Sequence, residues 1–404
     1  MQKAPGGIAI ACMLASSACA FNQTGDLEAR ERGDVSRPAE RGSPIAALRN
    51  ACGDGDFTTT GREVLRRQPY VQLVTPTSAR IGWTATSHAR LRVEVTRPDG
   101  APVAIAPARP EMTGQAWADL ERLEPDTVYC YALSDGRALT ERTGFRTAPA
   151  SAAAPVRFLA FGDSGEGGPD QRALAQWMFD VPAELIVHTG DVAYDDGTLG
   201  QYEDNVFGIY HQLLRNLPFY PAAGNHDYRT MQGGPFRQVF SLPGSERWYS
   251  FDHGSVHFVA LDTEADYKTQ ARWLADDLAK TSLPWRVVYL HRPPYSSGSH
   301  GSDTGLRRAL APVLEAGGVQ LVLAGHDHDY ERTTPQRGVH YIVTGGGGRG
   351  TYGVDRSDFT AFSEAVIHFV YVEASSDELV VHAIDARGAE FDSVAIPLTQ
   401  GADS

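Results

Sequence analysis

Five short clusters of metal-donor residues recur along the 404-residue chain. They are Gly162-Asp163-Ser164-Gly165, Gly190-Asp191-Val192-Ala193-Tyr194, Gly224-Asn225-His226-Asp227, Val288-Tyr289-Leu290-His291 and Gly325-His326-Asp327-His328. Together they offer carboxylate, phenol, amide and imidazole groups, a set that suits hard or borderline cations such as iron, manganese and zinc. His326 and His328 stand at i and i+2, so on extended backbone both rings leave the same side. Two cations about 3.5–4 Å apart could take one ring each. A phenol, with a pKa near 10, binds as phenolate at neutral pH only to a strong Lewis acid, and ferric iron fits Tyr194 in that role.

These donors need elements to bring them together. Each cluster follows an apolar run: Val156–Phe161, Leu185–His188, Phe219–Ala223, Arg286–Leu290 and Val319–Ala324. Runs of this kind mark parallel strands covered on both faces. In α/β sheets ligands sit beyond the carboxyl ends of the strands, so five strand ends can converge on one site. Gln171–Phe179 reads as the helix of a βα unit, and Gln270–Ala279, with Trp273, Leu274 and Leu278, as an amphipathic packing helix.

Other motifs compete with this reading. Gly162-Asp163-Ser164-Gly165 is similar to the segment around the nucleophile of chymotrypsin-like proteases, but that chemistry needs an upstream histidine and aspartate in a β-barrel, and the only upstream histidine is His88. Gly345-Gly346-Gly347-Gly348-Arg349-Gly350 lacks the Gly-Lys-Ser/Thr ending of a phosphate loop. It reads as a close-packed turn at the site rim, with Arg349 a candidate substrate contact. His253, His257 and His340 fall on expected strands and read as structural.

The formal net charge is −14, from 36 Lys plus Arg against 50 Asp plus Glu. An acidic surface argues against nucleic acid as a stable partner and against anionic membranes. It does not disfavour small phosphate esters, because a metal pair sets its own local field. Residues 1–20 read as an export signal: Lys3, the short apolar stretch Gly6 to Ala15, and the cleavage-type Ala18-Cys19-Ala20. Ser16-Ser17-Ala18-Cys19 is also an imperfect lipobox, so the alternative is a lipid anchor at Cys19; either way the chain is exported, to a secreted, periplasmic or envelope-anchored location. No transmembrane segment is visible. Residues 21–62 are polar and read as a flexible linker. Outside the signal, Cys52 and Cys130 either form one disulfide or stand as two separate buried thiols.

Residues 63–149 alternate apolar and polar positions in short runs broken by Pro, Gly and Asp, as in Leu91–Val95 and Val128–Leu133. This predicts an all-β sandwich with Trp83 in its core, Tyr129 and Tyr131 facing inward and Cys130 facing outward toward the segment around Cys52. No catalytic constellation appears there, so a spacer or a wall of the cleft is the expected role.

The five clusters, with Trp248–Phe258 and Asp329-Tyr330-Glu331-Arg332, resemble the signature of the purple acid phosphatases within the calcineurin-like metallophosphoesterases. Leu123–Tyr129 is similar to the tyrosine-corner segment of fibronectin type III domains, and Pro69-Tyr70-Val71-Gln72 to the start of the amino-terminal domain of plant-type members. The resemblance implies an α/β metallophosphoesterase β-sandwich flanked by helices, in four α/β/β/α layers over residues 150–400, behind a fibronectin type III-like domain over 63–149. It also implies a binuclear centre of Fe(III) plus a divalent ion (Zn, Mn or Fe). Asp163, Tyr194 and His328 would hold the first metal, Asn225, His291 and His326 the second, and Asp191 both. His226 and His300 would be the catalytic pair, one holding phosphate and the other protonating the leaving group. Asp227 is expected to orient a histidine or a water. The implied activity is hydrolysis of phosphate monoesters in mild acid; a phosphodiesterase or nucleotide hydrolase on the same scaffold, or a non-catalytic binding protein, are the alternatives.

Overall fold

The computed structural model describes residues 42–86, 90–111 and 113–398, so the export-signal and lipobox readings fall outside the described residues. Short alternating runs near the amino terminus build two four-stranded antiparallel sheets. One contains Leu65–Gln72, Ser78–Ala85, Arg109–Pro110 and Gln115–Glu121; the other contains Arg92–Thr96, Pro102–Pro107, Val128–Ser134 and Thr143–Arg146. Their inward side chains, among them Ile81, Trp83, Val93, Ala118, Tyr129, Tyr131 and Phe145, form one core. The Glu124 backbone N–H donates to the Tyr129 hydroxyl at 2.8 Å, tying the strand back to the turn before it.

The described part of the expected linker, from residue 42 onward, contains two helices. Pro44–Cys52 is a helix, because Ser43 caps it by accepting from the Ala46 N–H, Pro44 suits the first helical position, and Ile45, Leu48 and Cys52 share one buried face. Thr59–Val64 forms a second short helix under a Thr58 cap. These nine residues are mostly apolar but stand in a longer polar segment, so composition averaged over residues 21–62 hides the first helix. Cys52 and Cys130 form a disulfide with 5.3 Å between Cα atoms, so the outward face of Cys130 is covered by this helix.

The remaining chain builds two larger sheets. The first runs Phe219–Pro221, Leu185–His188, Val156–Phe161, His368–Ala374, Glu378–Asp385, Glu390–Pro397, the first three strands parallel and the rest antiparallel. The second runs Tyr249–His253, Val256–Ala260, Trp285–Leu290, Leu321–Ala324, His340–Thr344, Tyr330–Thr333, Thr360–Glu364, with its four central parallel strands from Val256–Ala260 to His340–Thr344. Alternation along each strand decides the layers. Phe158 meets Phe258 edge-on at 5.0 Å, so those faces pack sheet against sheet. Phe161 meets Tyr210 of helix Gly208–Leu214, while Val259, Val288 and Val322 pack with Leu274, Leu278, Leu306 and Leu310 of helices Tyr267–Leu278 and Thr304–Ala316. Helix, sheet, sheet and helix follow one another, as expected.

The amino-terminal sandwich braces the edge strand Phe219–Pro221. Gln72 Nε2 donates to the Phe219 carbonyl at 3.0 Å, and the Ser241 N–H donates to Gln72 Oε1 at 3.1 Å. The Tyr131 hydroxyl donates to the Arg215 carbonyl at 2.7 Å. An exposed strand edge is thereby covered, next to the loop that carries Asn225. Among the described residues no helix is long and apolar enough to cross a membrane.

Candidate metal centre

Five strand ends, three from one sheet and two from the other, deliver their donors to one place. Asp163, Asp191 and His326 take φ of 58°, 53° and 73°, left-handed conformations that cost roughly 1 kcal/mol or more each for a residue with a side chain. This sharp turn after each strand aims the side chain across the sheet ends. The preceding glycines follow from close approach. A Cβ on Gly224 would stand 2.2 Å from Asp191 Oδ1, and one on Gly325 would stand 2.4 Å from Asp163 Oδ2.

Each carboxylate is fixed by one oxygen and offers the other. The His326 N–H donates to Asp163 Oδ2 at 2.9 Å, and the His226 N–H donates to Asp191 Oδ1 at 2.7 Å. Asp163 Oδ1 and Asp191 Oδ2 each lie 3.0 Å from the Tyr194 hydroxyl, which is 3.1 Å from His328 Nε2; His328 Nε2 is 3.4 Å from Asp163 Oδ1. A second group shares Asp191 Oδ2. His291 Nε2 lies 3.3 Å from it, 3.1 Å from Asn225 Oδ1 and 3.2 Å from His326 Nδ1. His291 Nδ1 donates to the Thr189 carbonyl at 3.0 Å, which leaves Nε2 free for a cation. Ligands held about 2.0–2.2 Å from one ion stand roughly 2.8–3.6 Å from each other in octahedral or tetrahedral geometry. Both groups have such spacing, and Asp163, Asp191 and His291 form a buried candidate metal site.

The electrostatics agree with a cation requirement. Burial opposes charge on His291, yet the carboxylates of Asp191 and Asp163 outweigh it and raise the ring to about 9. Burial, then Asp163 and Asp191, push the Tyr194 phenol well above its ordinary value. His326 is pushed down to about 2 by burial and by His291 and Arg292. Without a cation the phenol keeps its proton and donates it in hydrogen bonds to the carboxylates; a bound cation would displace that proton.

His226 and His300 face the same mouth from opposite sides. The His226 ring packs 4.4 Å from the Tyr194 ring, its Nδ1 donates to the Asp195 carbonyl at 2.6 Å, and its Nε2 is 3.9 Å from Asp191 Oδ2. His300, 44% exposed, lies 4.2 Å from the His326 ring, and its Nδ1 and N–H both meet Asp327 Oδ1, at 3.0 and 2.7 Å. Asp327 is fully buried and is the carboxylate that orients a histidine here.

Asp227 has a different role from the one expected. It accepts the N–H groups of Val192, Ala193 and Gly224 and the Tyr202 hydroxyl, so it holds the Asp191 loop against the Asn225 loop rather than orienting a histidine. Burial and the charge of Asp191 raise its carboxyl to about 7. Arg349 is held by Glu166 at 2.5 Å and Asp195 at 2.9 Å and lies over the Tyr194 ring, so it ties three rim loops together.

Sequence reasoning missed Asp327, Arg292, Tyr352 and His188. Tyr352, two residues after the glycine turn, stacks on His328 at 4.2 Å. His188 meets Ser164 Oγ at 2.9 Å, the pair a protease would need. However, both are fully buried, and His188 Nδ1 accepts the Gly190 N–H, so Nε2 carries the proton and cannot take one from serine. Burial lowers this ring to about 3.

Residues 156–330 match the calcineurin-like phosphoesterase family model. The chain is 28% identical over 250 residues to human acid phosphatase type 7, covering 54% of this chain and 56% of that protein. It is 30% identical over 281 residues to purple acid phosphatase 23 of Arabidopsis thaliana, covering 57% and 61%. The chain thus spans between half and two thirds of the length of these relatives. The purple acid phosphatase from yellow lupin (Lupinus luteus) seeds superimposes with a TM-score of 0.74 at 21% identity, over 81% of this chain and 74% of that one, which shows a shared fold.

Proposed function

From the calcineurin-like phosphoesterase domain of residues 156–330 and its homology to purple acid phosphatases, we propose that this chain is an exported acid phosphatase that hydrolyses phosphate monoesters at a two-metal centre. The observation that carries the proposal is the pair of four-donor groups sharing Asp191 Oδ2. In this reading Asp163, Asp191, Tyr194 and His328 hold Fe(III), and Asp191, Asn225, His291 and His326 hold a divalent zinc, manganese or iron ion. The phenol supports the ferric choice: burial and two carboxylates favour its protonated form, so only a strong Lewis acid makes it a ligand at acidic pH. A bound metal pair supplies an activated water and neutralises phosphoryl charge during in-line attack.

The chain's own groups supply the rest. His226, anchored through Nδ1 to the Asp195 carbonyl and lying with Nε2 3.9 Å from Asp191 Oδ2 and 3.3 Å from Arg229 NH2, positions the phosphoryl group together with that arginine. His300, whose Nδ1 is committed to Asp327, presents Nε2 from an open rim and protonates the departing alcohol oxygen. The Cys52–Cys130 disulfide supports an oxidising compartment, in keeping with export.

The test is colour together with turnover. Oxidised protein should be pink to purple and hydrolyse an aryl phosphate monoester in mild acid, and Tyr194→Phe should lose the visible band. Colourless protein with stoichiometric iron would remove Tyr194 from the centre; coloured protein without monoesterase activity would refute the proposed reaction.

A further inference from the structure

Arg292 follows His291 directly and turns into the site mouth. Its Nε donates to Glu264 Oε1 at 2.8 Å, and its NH1 donates to His326 Nε2 at 3.1 Å. The side chain remains 30% exposed, on the side of the second donor group. It differs from the other rim arginines. Arg349 is tied to Glu166 and Asp195, and Arg229 to Asp196, the Asp195 carbonyl and His226 Nε2, whereas the NH1 end of Arg292 meets the ring of His326, a member of the second donor group.

That contact is incompatible with a filled centre. A guanidinium only donates, so His326 must accept at Nε2. His326 Nδ1 is the atom that faces His291 Nε2, and if Nδ1 ligates a metal, Nε2 carries the proton and can no longer accept. NH1 then loses its partner, while Glu264 continues to hold Nε and fixes the plane of the fork. A phosphoryl anion bound at the mouth would offer NH1 a replacement oxygen acceptor. The planar fork suits phosphate, and its charge favours a dianion over a monoanion.

We infer that Arg292 is a phosphoryl clamp: on metal loading its NH1 passes from His326 to a phosphoryl oxygen, with Glu264 as the positioning residue, and this selects dianionic monoesters over monoanionic diesters. The inference rests on the two-metal reading above. No bond is broken in the exchange; one donor changes acceptor.

Binding of inorganic phosphate to metal-loaded protein, measured by calorimetry beside elemental analysis, provides the test. Arg292→Gln should keep two metals per chain and weaken phosphate binding roughly ten- to a hundredfold, the range for one charge-assisted hydrogen bond. Arg292→Lys should recover part of the loss, and Glu264→Gln should fall between wild type and Arg292→Gln. The kcat/KM ratio of monoester to diester should drop in Arg292→Gln. Phosphate affinity unchanged at full metal content would overturn the inference. So would loss of the second metal with unchanged affinity per loaded site, which would make Arg292 only a prop for His326. Wild-type protein that takes up no metal pair would instead refute the centre itself.

Discussion

Gly224→Ala isolates the geometry of the centre without touching a donor. Its Cβ would stand 2.2 Å from Asp191 Oδ1 and 2.3 Å from the Asp191 N–H nitrogen. Ordinary contact begins near 3.4 Å, so Asp191 and the Asn225 loop must part by about 1 Å. Overpacking of this kind costs about 1–3 kcal/mol, which a domain of this size survives. The site does not: a catalytic constellation tolerates about 0.5 Å, and a 1 Å misplacement costs on the order of 100-fold in rate. Asp191 Oδ2 is shared by both donor groups, so occupancy of both should fall. The assays are urea unfolding, elemental analysis and kcat/KM on an aryl phosphate. Gly200→Ala is the control, since its Cβ meets only Thr198 Oγ1 at 4.0 Å, and it should leave all three unchanged. Gly224→Ala protein with two metals per chain and activity within about threefold of wild type would refute the reasoning.

Away from the centre, His257 lies between Asp252 at 2.6 Å and Asp277 at 3.0 Å; burial opposes its charge, but these carboxylates raise it to about 9. A raised pKa gives stability that is complete below the unfolded value near 6.5 and lost as pH rises through about 9. The shift sets a ceiling of roughly 3 kcal/mol; because Asp252 is largely solvent-exposed, roughly 1–2 kcal/mol is expected. Urea unfolding of His257→Gln should show that deficit at pH 6 and little of it above pH 9.5; a deficit that does not change with pH would refute the charge assignment. His300→Ala should keep its metals and slow alkyl phosphates far more than aryl phosphates with acidic phenols, and equal losses on both would show that His300 only holds phosphate.

The residues that the structure gathers at the strand ends were legible because most of them carry a local signature. A glycine precedes Asp163, Asp191, Asn225 and His326 for reasons of close approach, and an apolar strand precedes that glycine. The strands were legible because burial on both faces leaves uninterrupted Val, Leu and Phe. Sequence does not reveal which strand ends meet. Asp327 stands inside Gly325-His326-Asp327-His328 and Arg292 directly after His291, but their partners His300 and His326 come from different loops, so neither role shows in the sequence. Asp227 was mistaken for a group that orients a histidine because its four donors, three of them backbone N–H groups, become visible only once the Asp191 and Asn225 loops are side by side. The helix Pro44–Cys52 was lost for a related reason: its stability comes from burying Cys52 against the sandwich and Ile45 in the core of the larger sheets, tertiary contacts that the polar surroundings of the segment conceal.

Metal stoichiometry of two alanine variants tests the shared-donor centre most directly. If Asp191 Oδ2 belongs to both donor groups, elemental analysis should find two metals per chain in wild type, loss of both in Asp191→Ala, and loss of the divalent ion with retention of iron and colour in Asn225→Ala. Two metals per chain in folded Asp191→Ala would contradict the account, because no other residue in it joins the two groups.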